Sequence, residues 1–389
     1  MHLNNFNSAA FLRDTWQKRP LVIRNPWNDW HNPIDPDDLA GLACEDGVES
    51  RLITLAGKMG AQATWAIEHG PVPEKRFGKL GKQPWTLLVQ AVDQVVPEVA
   101  ALIEPFRFVP NWRIDDVMVS YASDGGGVGP HFDQYDVFLI QGLGERRWQV
   151  GGICDADTPL LPHDDLRLLA NFTAAEEWIL EPGDILYVPP RFAHNGVAMG
   201  DDCMTYSVGF RAPARSELIA HWCDEVLASL NDEDRYADPD LAPQDNPGEI
   251  SAAALDRLHA MIAEKLADRA GFADWFGRYT CTRKYPEVDW RPEEALEPDE
   301  LRAYFAEGVA LLRNPASRFS FIRQDGSLAL FVDGESFACA GASARFAERI
   351  CAQTRIIVES EEAGSAAAMD LIAALFNRGC VAFEDEDEE

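Results

Sequence analysis

The chain has 389 residues, 47% hydrophobic and 25% charged, ordinary figures for a globular protein with room for two or three domains. Its formal charge of −31 is not ordinary, because such a surface repels nucleic acid and anionic membrane and attracts a basic partner. The longest apolar runs are too short to cross a bilayer, the N-terminus carries no basic-then-apolar leader, and the eight cysteines form no Cys-x-x-Cys pair; the expectation is a reducing cytoplasm, with no zinc ribbon or disulfide framework.

In chain order, Phe11, Leu12 and Trp16 are spaced for one face of a short helix over 8–17, and Leu21-Val22-Ile23 reads as a strand. Asp35-Pro36 reads as an N-cap with proline at the first helical position, opening a helix over 37–44. A further helix is expected over 84–95. From Trp112 the pattern becomes β, with strands over 114–121, 138–141, 146–150, 177–180, 185–188 and 205–210, separated by Gly, Pro or Asp turns as in a barrel or sandwich. A glycine-rich stretch covers 123–130.

A helical block follows, with an apolar stripe at 218, 219, 222, 223, 226, 227 and 230, a polar Pro-rich linker over 231–248, and helices over 250–270 and 272–279. The last block reads as a helix over 299–312, strands over 318–323, 328–332 and 335–338, helices over 344–353 and 366–378, and a strand over 380–383, an order that resembles a winged helix. Its acidity and the weak positive charge of its second helix argue for protein contact rather than DNA binding. The acidic end, 384–389, reads as a solvated tail. The expected domains are 1–213, 214–284 and 285–389.

His131-Phe132-Asp133 places an imidazole and a carboxylate on one face of an extended segment. Two histidines and a carboxylate hold Fe(II) on one side and leave open positions. The pair is not diagnostic alone, since His163-Asp164-Asp165 repeats it in a Pro-containing loop. The stronger signal is Glu181-Pro182-Gly183-Asp184, a tight turn, then Ile185-Leu186-Tyr187-Val188, then Pro189-Pro190 turning into His194. The expected metal ligands are His131, Asp133 and His194.

This pattern resembles the JmjC subfamily of cupin-fold 2-oxoglutarate oxygenases, and Trp16-Gln17-Lys18-Arg19-Pro20 resembles the start of such domains. The order of JmjC domain, helical segment and winged helix is similar to that of the bacterial ribosomal oxygenases, over the whole chain. The resemblance implies a mainly β fold with α additions: a double-stranded β-helix, a helical segment that dimerises, and a C-terminal winged-helix-like domain. It implies Fe(II), 2-oxoglutarate and O2, and hydroxylation of an arginine side chain in a basic large-subunit ribosomal protein.

The far carboxylate of 2-oxoglutarate needs a cation. Arg146 and Arg147 are the candidates, and strand alternation sends one inward without saying which. The resemblance implies Arg146, assisted by a hydroxyl for which Ser120 and Tyr121 are candidates. It also implies a substrate pocket of Asp116, Met118, Tyr135 and Ser207, an acid for a guanidinium and an apolar sleeve for its methylenes. Asp115 and Asp136 are the alternatives to Asp116. The competing readings are a histidine hydroxylase, which a neutral pocket would favour, and a cupin-fold binding module without turnover.

Overall fold

A computed structural model describes residues 2–56 and 64–384. The tail over 385–389 lies outside the described residues. The chain divides into two compact units: one of Met1–Ala212 with two short later segments, the other of most of the remainder.

In the first unit a short helix α1 (Ser8–Asp14), capped by Asn7, leads to β1 (Leu21–Ile23) and α2 (Pro36–Leu42). Asp35 caps α2 by accepting from the Asp37 amide. Then come β2 (Ser50–Ala56), β3 (Thr64–His69), α3 (Glu74–Phe77), β4 (Trp85–Val89), α4 (Pro97–Ala100), β5 (Ile114–Ala122), β6 (Asp136–Ile153), β7 (Glu176–Leu180), β8 (Ile185–Val188) and β9 (Phe192–Phe210). They form one antiparallel sheet in the order β1-β8-β6-β9-β5-β4-β2-β3, with β7 against β6. This is the double-stranded β-helix of the JmjC/cupin class.

The helix expected over 84–95 is replaced by strand β4 and a single 3-10 turn over Val92–Gln94. Between them Ala91 takes a left-handed conformation (φ 53°), which no continuous helix accommodates.

Two long strands, β6 and β9, run through both halves of the barrel. The first part of β6 pairs with β8, its last part with β7, and β9 follows it throughout. The bend between the halves is a bulge where the register shifts from Gln141 to Glu145. Gly144 there has φ +58°, and the Gln141 amide donates to the Leu143 and Gly144 carbonyls.

Strand alternation sorts the side chains. Val117, Val119, Phe138, Ile140, Tyr187, Tyr206 and Val208 pack in the main core with Phe11 and Trp27. Val137, Leu139, Trp148, Val150, Leu186 and Val188 form a second cluster on the other face, where the candidate site residues also stand. Asp136, fully buried, ties the N-terminal segment to the barrel: it accepts from Tyr187 Oη at 2.6 Å, Gln17 Nε2 at 2.8 Å and Arg113 Nη2 at 3.1 Å. Burial pushes its carboxyl above the ordinary value, while these donors pull it back. Asp136→Ala strands the three donors and is expected to cost about 3 kcal/mol of stability or more, read from the urea midpoint.

The second unit contains α5 (Arg215–Ser229), α6 (Ala252–Leu266) and α7 (Arg269–Thr280), then α8 (Pro298–Ala306), β10 (Leu311–Arg313), β11 (Phe319–Gln324), β12 (Ser327–Val332), β13 (Glu335–Cys339), α9 (Ala342–Ala352), β14 (Arg355–Ile356), α10 (Ser360–Ala363), α11 (Ala366–Asn377) and β15 (Val381–Phe383). Trp222 of α5 packs on Phe272 and Trp275 of α7. The helix expected over 299–312 stops at Ala306, where Gly308 (φ +90°) turns the chain into β10, whose partners are β14 and β15. The β11-β12-β13 meander with α8, α9 and α11 is a winged-helix arrangement. Among the described residues, no helix is long and apolar enough to cross a membrane.

Candidate metal and cosubstrate site

The site begins with close backbone pairing. His131 and His194 form a two-way antiparallel bridge, with N–H···O distances of 3.0 and 2.8 Å, and Gly125 and Gly126 pair with Ala198 of β9. Glycine is required here by space: a Cβ at Gly127 would lie 2.3 Å from the Gly196 carbonyl oxygen, and one at Gly126 lies 2.3 Å from that of Trp85. Gly127→Ala is therefore expected to part the bridge and weaken metal affinity about 10- to 100-fold, measured by competition with a chelating dye.

Each histidine donates Nδ1–H to a carbonyl two residues back, His131 to Gly129 and His194 to Phe192, both at 2.9 Å. That leaves both Nε2 atoms to face Asp133, whose Oδ2 lies 3.7 Å from His131 Nε2 and 3.5 Å from His194 Nε2. Three ligand atoms lie within 4.8 Å of one another, so one ion can touch all three. Burial lowers the His194 imidazole to about 4, His131 adds to this and Asp133 opposes it. The ring is thus neutral near pH 7, the form that ligates a metal. The Asp133 carbonyl accepts from Arg191 N at 2.6 Å, which anchors the Pro189-Pro190-Arg191 turn beside the triad.

The Pro-Gly-Asp turn upstream is held by Asp184, which accepts from Arg24 Nη1 (2.6 Å), Asn25 N (2.9 Å) and Glu181 N (3.0 Å). His163 plays no part in the site: its Nδ1 caps its own loop by accepting from Asp165 N and Leu166 N, both at 3.1 Å.

On β6, Arg146 is buried and Arg147 exposed. Arg146, Trp148 and Val150 stand opposite Ala198, Gly196 and His194 of β9, in one row ending at the metal ligand. Arg146 is 4% exposed, yet its Nε and Nη2 have no hydrogen-bond partner among the described residues. Two buried donors of a cation left without acceptors are costly and point to a place for an anion. Ser120 is buried and donates to the Thr205 carbonyl at 3.3 Å. Tyr121 faces away and binds Asp202.

Met118 stands beside Ser207 across β5 and β9, and Ser207 beside Leu139. Asp116 is buried; its Oδ2 accepts from Gln90 Nε2 (2.9 Å) and Ala91 N (3.0 Å), so the left-handed turn after β4 orients it. Tyr135 is 44% exposed at the mouth. Desolvation of the hydroxyl end is the first cause holding the phenol above its ordinary value, although part of the residue is exposed; Asp133, Asp116 and Asp115 push the same way and Arg51 opposes. Asp115 is paired with Arg211 at 2.9 Å, and Asp136 is occupied in the N-terminal tie.

Sequence reasoning missed Gln90, Trp148 and Thr86. The last two are buried and carry Thr86 Oγ1 and Trp148 Nε1 without partners. Alternation from Arg146 could have found Trp148; Thr86 and Gln90 were hidden by the helix expected over their segment.

Comparisons with known proteins agree with this geometry. Residues 101–218 match the JmjC domain family, and residues 264–382 match the ROXA-like winged helix. The chain is 41% identical to the ribosomal protein uL16 3-hydroxylase of Escherichia coli over 85% of each chain. It is 36% identical to a probable ribosomal oxygenase of Haemophilus influenzae, over 84% of this chain and 80% of that one. A solved structure of E. coli YcfD, a ribosomal oxygenase, in complex with cobalt and 2-oxoglutarate superposes with a TM-score of 0.85 at 36% identity, covering 99% of this chain and 100% of that one. The chain belongs to the JmjC-domain ribosomal oxygenases.

Proposed function

We propose that this chain hydroxylates an arginine side chain of a basic large-subunit ribosomal protein, as an oxygenase dependent on Fe(II), 2-oxoglutarate and O2. The observation that carries the reading is the pair of unpartnered nitrogens, Nε and Nη2, of buried Arg146, in the same strand row as a metal-ready triad. His131, Asp133 and His194 would hold the metal. Arg146 would take the far carboxylate of 2-oxoglutarate in a charge-assisted pair, and Ser120 is assigned as the assisting hydroxyl. When bound, iron with 2-oxoglutarate supplies the activation of O2 that side chains cannot.

The residues do the rest. Val137, Leu139, Val150 and Val188 exclude water around the row. Asp116, Met118, Tyr135 and Ser207 are assigned to the substrate: an acid for the guanidinium, a thioether for the methylenes, and two hydroxyls that fix orientation. The buried carboxylate of Asp116, oriented by Gln90 and Ala91, suits a cation over a neutral imidazole, which favours arginine over histidine. A binding module without turnover gives no account of three ligand atoms placed for one ion. The relative's name makes uL16 the first protein to test, and the charge of −31 suits a basic substrate.

The test is incubation of the chain with Fe(II), 2-oxoglutarate and purified large-subunit proteins, followed by peptide mass spectrometry. The expected product is uL16 carrying one added oxygen on an arginine, with succinate formed alongside. No succinate, or oxygen on a histidine instead, would overturn the reading.

The helical segment supports a second proposal, a homodimer. Ile219 and Leu227 of α5 and Leu255, Leu258 and Ile262 of α6 are exposed large apolar side chains, and those of α6 are spaced for one face. Leu227→Glu with Ile262→Glu is expected to give a monomer in sedimentation equilibrium, where the natural chain gives a dimer.

A further inference from the structure

We propose that Trp148 is a second donor to the bound dicarboxylate, through its indole N–H. This rests on the reading of Arg146 as the carboxylate's cation.

An indole nitrogen can only donate. Trp148 is 6% exposed, and its Nε1 has no acceptor among the described residues. Apolar packing alone would be met by phenylalanine without stranding a donor. The surroundings are also shaped for the indole: the opposing residue is Gly196, where an added Cβ would lie 2.7 Å from the six-membered part of the ring. Trp148 lies between the two ends of the row. Its ring centroid is 5.8 Å from the Arg146 guanidinium carbon and 6.1 Å from the His194 ring centroid. A dicarboxylate held at one end by the metal and at the other by Arg146 therefore passes this side chain. Arg146 Nε, Arg146 Nη2 and Trp148 Nε1 are three buried donors lacking acceptors on adjacent inward positions of one strand. One carboxylate group offers enough lone pairs for all three.

The experiment titrates 2-oxoglutarate into the Mn(II)-loaded full chain by calorimetry, for the natural chain, Trp148→Phe and Arg146→Met. Trp148→Phe keeps an aromatic ring and removes the donor. Its Kd for 2-oxoglutarate should rise about tenfold or more, the loss of one hydrogen bond to a charged group, with Mn(II) affinity unchanged. Without ligand its Tm reads two opposed effects, the stranded donor removed and the space beside Gly196 left partly unfilled, so the Kd and the indole resonance carry the test. A direct signature accompanies this: the Trp148 indole N–H resonance, assigned by its loss in Trp148→Phe, should shift and gain protection from solvent exchange when 2-oxoglutarate is added. A Trp148→Phe Kd equal to that of the natural chain, or an indole resonance that does not respond, overturns the proposal. The Arg146→Met arm separates the two readings. If it binds as tightly as the natural chain, the assignment of Arg146 fails; if it loses binding while Trp148→Phe does not, only the role of Trp148 fails.

Discussion

Replacing Asp133 by alanine should abolish turnover, with kcat/KM falling by about a thousandfold or more, and should remove stoichiometric Fe(II) binding while leaving the fold intact. Asp133 Oδ2 is the atom on which both imidazoles converge, at 3.5 and 3.7 Å. Without it two neutral histidines remain, a weaker and less directional pair for a hard divalent cation. Loss of an outer-shell partner commonly costs 10- to 100-fold in affinity or activity, so loss of a ligand should exceed that. Asp133 is 24% exposed in its side chain, and the carbonyl that anchors the Arg191 amide belongs to its backbone, so the turn survives truncation. Equilibrium dialysis with Fe(II) under anaerobic conditions checks this directly. Turnover retained in Asp133→Ala would mean that the metal sits elsewhere.

Arg146→Met should raise the KM for 2-oxoglutarate by about 10²- to 10³-fold, the usual penalty for truncating one partner of a buried charge pair. Metal affinity should hold, because the triad's imidazoles are oriented by the Gly129 and Phe192 carbonyls and not by Arg146. The ligand-free protein should lose nothing in stability and can gain some. A buried guanidinium with two unpartnered nitrogens is a liability until an anion arrives, and methionine fills similar space without charge. The opposite signs are the diagnostic feature: weaker cosubstrate binding with an unchanged or higher Tm. A large drop in Tm would instead make Arg146 a structural residue.

Much of this site was legible in the sequence, and the reasons are physical. The segment from Pro182 to His194 is a turn, a buried strand and a second turn. Each has strong local chemistry: Asp184 satisfying three donors, four consecutive buried residues, and Pro189-Pro190 ending the strand. The two His-x-Asp pairs were separable because one leads into a strand and the other into a loop that its own histidine caps. Arg146 and Arg147 could not be separated by alternation alone. The sense of alternation depends on the bulge between Gln141 and Glu145, a feature set by tertiary pairing with β9.

The same bulge explains why β6 reads as two short strands, over 138–141 and 146–150, and why only the end of β9, over 205–210, reads as strand. Gly142-Leu143-Gly144 has the composition of a turn, yet the strand continues through it. The misread helix over 84–95 has a similar cause. Trp85–Val89 is an apolar run whose length fits either element, and it becomes a strand because β2 and β5 flank it. That error hid the turn at Gln90 and Ala91, and with it the hydrogen bonds that aim Asp116. The glycine-rich stretch over 123–130 carries its reason only in the pairing: at 126 and 127 backbones approach too closely for a side chain.

The most direct measurement is a crystal structure of the full chain grown with Mn(II) and 2-oxoglutarate, with anomalous scattering to locate the metal. The account predicts a single strong anomalous peak within bonding distance of His131 Nε2, His194 Nε2 and an Asp133 carboxylate oxygen, with the dicarboxylate running from that metal to the Arg146 guanidinium. A peak away from these three atoms, or a dicarboxylate whose far end points away from Arg146, would contradict it.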